Sequence, residues 1–401
     1  MKTTLLNKSR TSPFFILAIL VLTAVAAPLS QNKVSPIAPA LMQQFGIGEV
    51  QLGMLISVFS FTGIILSLPG GLLIHKFGQW KCVLASMLAL LAGSLLGTYS
   101  GSFEVLLVSR VIEGIGMGLV AIAGPSIVGA TVDQKSRGLA MGFFSAYIGV
   151  GQVLTYNLAP QILKQRSWKG VWWFSNIYTI VFTIVWIFLM LRLKVFFGKN
   201  ETTEKKENSN NNSIFFVFKN KSLWYLTISM CFYVLSYPTL QAFLPSYLST
   251  QRGMEMSAAS SLVSICCLVG TASSLLAGIV SDKLRSRRML GGIALIVSGG
   301  LFALIPFVPT SLFILIIFII GAIPPFLPVC VFAATSEVID DSVQSGMAMG
   351  MVSLGQNIGF VIGPVIFGAL TQQFSWHTAI FFTVPLSIFG GIIMLVNRKV
   401  R

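Results

Sequence analysis

Charge is what this sequence has least of. Only 10% of its 401 residues are charged, and just 12 are Asp or Glu. Water-soluble domains carry about 25% charged residues. A chain this long with so few cannot cover its surface in water, so lipid must be part of its solvent. Histidine is nearly absent: the two are His75 and His377, in loops at opposite ends of the pattern, too far apart for a shared metal. The five cysteines are Cys82, Cys231, Cys266, Cys267 and Cys330. None has metal-ligand spacing, and they read as small buried hydrophobes. No phosphate-binding loop occurs, which argues against direct use of ATP, and no catalytic or cofactor motif is found. An enzyme is not expected, nor is a cofactor.

Apolar residues are abundant instead, at 55%. A bilayer-crossing helix needs roughly 20 mostly apolar residues. Such runs lie at 14–36, 50–72, 82–100, 105–128, 139–162 and 171–192, then at 222–248, 258–280, 289–308, 311–335, 346–370 and 376–396. They are too long and too continuous for barrel strands. Gly (37) and Pro (16) are frequent, as in helices that pack closely or bend. The first run ends in Ala24-Val25-Ala26-Ala27 after Lys2, Lys8 and Arg10, which imitates a secretory signal. The apolar pattern resumes past Ala27, so the run is read as the first transmembrane helix.

The net charge of +15 is a matter of topology. With a cytoplasmic N-terminus, the inner segments hold 21 Lys and Arg against four outside, Lys164, Arg166, Lys169 and Arg252. That bias places both termini in the cytoplasm. Nucleic acid is not needed to explain the charge, whereas anionic lipid head groups would favour it. Residues 193–221 break the apolar pattern with a charged, Asn-rich stretch that cannot bury a core. They divide the chain into six-helix halves at 1–192 and 222–401, joined by a cytoplasmic linker. The halves resemble each other. Gly71 to Lys81 lies over Gly278 to Arg288 at an offset of 207, and Gly138 to Gly142 over Gly346 to Gly350 at 208. Six spans per half give both the same orientation, hence a parallel repeat.

Three motifs then resemble the major facilitator superfamily over essentially the whole length. The loop after the second run supplies Gly71, Leu73, Lys76, Phe77, Gly78 and Lys81, with His75 where the family usually has Asp. The second-half copy keeps the acid as Asp282, near Arg285 and Arg288. Arg110 followed by Gly114, Gly116 and Gly118 is similar to a fourth-helix motif, and Arg137-Gly138 with Ala140-Met141-Gly142 to one opening the fifth. A drug-antiporter signature in the fifth helix is not matched: Gly149-Val150-Gly151-Gln152 reaches Pro160 only later. The resemblance implies an all-α membrane protein of twelve transmembrane helices in two parallel six-helix repeats, the major facilitator fold. It also implies a latch at the cytoplasmic loops, which Asp282 with Arg285 or Arg288 supports better than His75. Any one of these basic residues also fits a purely topological role.

Three charges fall well inside the runs: Lys33, Arg110 and Glu113. Each costs about 2.5–3.5 kcal/mol at the centre of a membrane helix on insertion scales. Lys33 sits in Gln31-Asn32-Lys33-Val34-Ser35-Pro36, a polar stretch that predicts a broken helix. It either binds a substrate anion, oriented by Gln31 and Asn32, or snorkels to the outer interface. Arg110 and Glu113 share a helix face three residues apart. Glu113 is thus either a proton carrier tuned by Arg110 or half of a permanent ion pair. Uncharged candidates are Tyr147, Gln152, Tyr156 and Asn157 in the fifth helix, Tyr233, Tyr237 and Gln241 in the seventh, and Gln356 and Asn357 in the eleventh. Each tyrosine is equally readable as a packing residue.

The reading is a secondary transporter of a small solute, an organic or inorganic anion, working by alternating access in a bacterial inner membrane. Two core cations against one carboxylate suggest the anion. Efflux of lipophilic or cationic compounds and a transporter-like receptor are the alternatives. Expected partners are the solute, membrane lipids, and protons or a counter-substrate; the chain is expected to act as a monomer.

Overall fold

The computed structural model describes residues 12–67, 70–133, 136–193, 219–284, 286–339 and 342–400. Most of the expected linker at 193–221 therefore lies outside the described residues, as do Arg285 and the side chains of Gly71, His75, Arg137 and Gly138. The described residues are all-helical.

Among the described residues, twelve helices are long and apolar enough to cross a membrane. In the first half they are α1 (Pro13–Asn32), α2 (Glu49–Leu66), α3 (Gln79–Thr98), α4 (Phe103–Thr131), α5 (Leu139–Gln165) and α6 (Trp168–Arg192). In the second they are α7 (Lys221–Arg252), α8 (Met256–Leu284), α9 (Arg287–Leu304), α10 (Phe313–Thr335), α11 (Met347–Gln373) and α12 (Trp376–Val396). Their outward faces stay apolar: Ile184, Phe188, Leu268 and Ile314 are all exposed, Phe188 by 66%. Such faces suit hydrocarbon and not water.

Proline decides where two of these spans are interrupted. In α1, Pro28 cannot donate to the Ala24 carbonyl, and the helix loosens at Val25. Pro36 likewise cannot donate to the Asn32 carbonyl. The helix stops at Asn32, passes through a 3-10 turn at Ser35–Ile37, and restarts as Ala38–Phe45. In α10, Pro324 and Pro325 separate Phe313–Ala322 from Phe326–Val338.

The halves meet along two helix pairs, α2 with α11 and α5 with α8. Glycine lets the first pair approach. A Cβ at Gly53 would overlap the Pro364 carbonyl, and one at Gly368 the Glu49 carbonyl. Both contacts lie at the end of the bundle away from the chain termini. There the Gln372 amide oxygen also accepts from the Val50 N–H at 3.2 Å. At the same end Lys164 of α5 pairs with Glu255, just before α8. The Lys164 ammonium holds the Glu255 carboxyl below its ordinary range. One apolar core is confined to the first half, around Leu20, Leu90, Val120 and Trp186. A second runs across both halves, from Val34, Leu52 and Trp172 to Tyr237, Phe243 and Phe367.

Candidate functional site

The break in α1 exposes polar backbone in the middle of the first half. Once the helix stops at Asn32, the carbonyls of Ser30 and Gln31 lose the partners a continuing helix would supply. Arg110 of α4 replaces them. Its Nη1 donates to the Ser30 carbonyl at 2.6 Å and its Nη2 to the Gln31 carbonyl at 2.9 Å. Its Nε donates to the Leu55 carbonyl of α2 at 3.3 Å. The guanidinium lies 4.5 Å over the Phe59 ring. A planar five-donor group suits this task, because it spans carbonyls of two helices at once.

The same break turns Lys33 into the first half. Its ammonium lies 2.5 Å from Glu113 Oε1, 3.0 Å from Ser94 Oγ of α3, and 4.5 Å from the centre of the Trp172 ring of α6. The other carboxylate oxygen, Oε2, is 2.5 Å from Arg110 Nη1. Lys33, Arg110 and Glu113 are all 0% exposed, and no other charged side chain among the described residues is fully buried. Lys33 thus does not reach out to the rim of the bundle. Gln31 takes part through its carbonyl, and Asn32 donates to the Pro28 carbonyl at 2.8 Å instead of orienting the ammonium. Ser94, Trp172, Phe59 and Ser30 carry no signal that sequence reasoning could use, since they sit inside ordinary apolar runs.

Two residues past Lys33 the chain faces the other half. Ser35 Oγ donates to the Ala242 carbonyl of α7, and Tyr156 of α5 lies 3.5 Å from it. Around this contact is a neutral polar cluster built by α5, α7 and α8. Asn157 Nδ2 donates to Ser264 Oγ at 2.5 Å, Tyr237 OH lies 3.5 Å from Cys266 Sγ, and Gln241 Nε2 is 3.3 Å from Cys267 Sγ. Tyr233 lies tilted against Tyr237 with ring centres 5.8 Å apart. Asn357 of α11 donates to Ser67, following α2, at 3.2 Å. Gln152 and Gln356 are half-buried on α5 and α11. Tyr147 sits apart from this group, packed on Phe144 in the first-half core.

At the other end of the bundle, Lys76 and Lys81 are exposed. Gly78 stands at φ +82°, a conformation that favours glycine, and lets the chain turn from the short helix Gly70–Phe77 into α3. Asp282 pairs with Arg287 at 2.9 Å, not with Arg288. Arg287 opens α9 and from there also reaches Glu337 at 2.9 Å and the Ala333 carbonyl of the α10 region at 2.7 Å. Arg288, one residue on, points about 100° further round the helix.

The Major Facilitator Superfamily profile matches residues 20–345 and 326–401. The chain belongs to the major facilitator superfamily. It is similar to a probable sulfoacetate transporter of Cupriavidus necator, 22% identical over 379 residues, covering 89% of this chain and 87% of that one. It is similar to a hexuronate transporter of Bacillus subtilis, 21% identical over 95% of this chain and 93% of the relative. A probable L-galactonate transporter of Escherichia coli is 24% identical over 66% of this chain and 61% of its own. Among solved structures, a bacterial homologue of the human lysosomal transporter Spinster, inward-facing and unoccupied, superposes with a TM-score of 0.80 at 16% identity over 98% of each chain. That likeness concerns the fold. The chain is a multi-pass membrane transporter of a small molecule.

Proposed function

We propose that this superfamily member carries a small organic acid across the bacterial inner membrane by alternating access, with residues 1–192 and 222–401 rocking about the polar cluster between them. The observation that carries the acid is the buried triad, two cations against one carboxylate, set at the hinge where α1 breaks. Buried charge in excess of its partners raises the local potential, and a low-dielectric surround strengthens its reach. A carboxylate entering between the halves would be held by neutral donors, Tyr156, Asn157, Tyr237 and Gln241, with the positive triad behind Ser35. Three relatives named for sulfoacetate, a hexuronate and L-galactonate support the same class, since all three are organic acids. Coupling to a proton gradient runs through the triad. Residues 193–221 tether the halves on the cytoplasmic side, where both termini lie, and the cation-rich loops hold that orientation.

A thermal-shift panel tests the acid directly. Sulfoacetate, glucuronate and galactonate are compared with glucose and with tetraphenylphosphonium, a lipophilic cation. A ligand at a hundred times its Kd stabilises by about 2.7 kcal/mol. At least one acid is expected to raise the melting temperature while glucose does not. A shift with the cation alone would replace this reading by efflux of lipophilic cations.

A further inference from the structure

We propose that the proton exchanged during transport is carried by the amine of Lys33, with Glu113 as its fixed counter-charge, so that a proton and a substrate anion bind together. The proposal rests on the organic-acid reading above and deepens it.

The site is sealed and its charges do not balance. Lys33, Arg110 and Glu113 share 0% exposure, and with all three ionised the group holds one uncompensated positive charge. Water cannot dissipate it, and an uncompensated buried charge costs several kcal/mol unless the group neutralises. Arginine does not lose its proton in proteins. Glu113 has a cation at 2.5 Å on each oxygen, and protonating it would double the excess. Releasing the Lys33 proton is the one change that leaves the group neutral. Nothing else near Lys33 competes. The charged groups facing it are Arg110 and Glu113 of α4, while α3 presents Ser94 and α6 presents Trp172. α2 presents Phe59 to Arg110, and the titratable group of α5 at the break is Tyr156, whose hydroxyl meets Ser35.

The position of Lys33 converts this chemistry into coupling. Lys33 faces the interior of the first half, and Ser35, two residues on in the same broken segment, contacts α7 of the second. A substrate carboxylate between the halves supplies the missing negative charge, so it favours the protonated amine. Reciprocally, the protonated amine favours the carboxylate, as linkage requires of any two coupled sites. The result is symport of acid and proton. The step is a proton transfer only: when the rocking of the halves opens the site to one face the amine takes H+ from water there, and when it opens to the other it returns H+ to water.

The test is the pH dependence of acid binding in Lys33→Arg and Lys33→Met, with sulfoacetate, glucuronate and galactonate as probes. Wild type should lose affinity as pH rises, by roughly 5- to 150-fold, the usual span of coupling between two sites. Lys33→Arg, permanently charged, should bind with no such loss. Lys33→Met, permanently neutral, should bind weakly at every pH. Lys33→Met leaves Glu113 paired with Arg110, so it decides the matter even where the bulkier arginine does not fit. A pH dependence that persists in Lys33→Met and vanishes in Glu113→Gln would overturn the proposal and move the proton to Glu113. Should none of the acids bind wild type at any pH, the organic-acid reading fails by itself. Lys33 is then judged without ligand: the stability difference between wild type and Lys33→Met must change between neutral and alkaline pH, and a constant difference would overturn its role.

Discussion

Glu113→Gln is expected to lower stability by about 3–5 kcal/mol, the usual cost of stranding a buried charge, and so to be far more damaging than Lys33→Met at the same triad. The ordering follows from counting charges inside the first half. Removing Glu113 leaves Lys33 and Arg110 buried with no carboxylate between them, so either two cations are stranded or Lys33 must give up its proton to leave one. Removing Arg110, as in Arg110→Met, leaves a balanced Lys33–Glu113 pair. It also orphans the carbonyls of Ser30, Gln31 and Leu55, at about 1–3 kcal/mol for each buried group left unsatisfied. Lys33→Met should be the mildest of the three. It leaves Glu113 and Arg110 as a neutral pair, and the methionine stem fills most of the space beside Trp172. The double variant Glu113→Gln with Lys33→Met should recover part of the loss, because no buried amine is left without its carboxylate. Melting temperatures in a mild detergent read the whole series. Equal losses in all three single variants would mean that packing, not charge balance, governs the site.

How much of this could be read in the sequence divides by range. The spans follow from run length, and the break in α1 from Pro36, because both are local. The Arg110–Glu113 pairing is local as well, three residues apart on one helix. Its other half is not. Lys33 lies 80 residues from Glu113, and nothing in the run around Trp172 or Ser94 marks them as its neighbours. Whether Lys33 snorkels or turns inward is decided by the partner waiting on α4, which one sequence cannot display. The partner of Asp282 illustrates the same limit at shorter range. The motif reading offers Arg285 and Arg288, but α9 starts at Arg287, and the position at the helix start sets which side chain meets α10. The tyrosines divide for a similar reason: Tyr156 and Tyr237 reach the region between the halves, while Tyr147 fills the first-half core.

Gly53→Val is expected to force α2 and α11 apart at the end of the bundle away from the termini. The added side chain has nowhere to go, because even a Cβ at Gly53 meets the Pro364 carbonyl, and backbone on α11 cannot rotate aside as a side chain would. Overpacking of this kind costs typically 1–3 kcal/mol. Here the molecule can avoid that cost by leaving the arrangement in which these ends touch. A bias of about 1–3 kcal/mol shifts a two-state equilibrium by roughly 5- to 150-fold. Spin labels at Gln44 and His377, both exposed at that end, should therefore report a longer distance in Gly53→Val than in wild type. Transport should fall, since a carrier held in one state cannot complete its cycle. Gly368→Val should act the same way through the Glu49 carbonyl. Unchanged distances with normal folding would show that the α2–α11 contact is permanent and not part of a moving gate.

The central claim is proton-coupled transport of an organic acid, and uptake by purified protein in liposomes tests it most directly. Radiolabelled sulfoacetate, glucuronate and galactonate are offered outside vesicles whose interior is more alkaline than the medium. The account predicts that at least one acid accumulates above its external concentration, that a protonophore abolishes the accumulation, and that Lys33→Met removes it. Uptake no greater than in protein-free vesicles, or accumulation indifferent to the pH gradient, would contradict it.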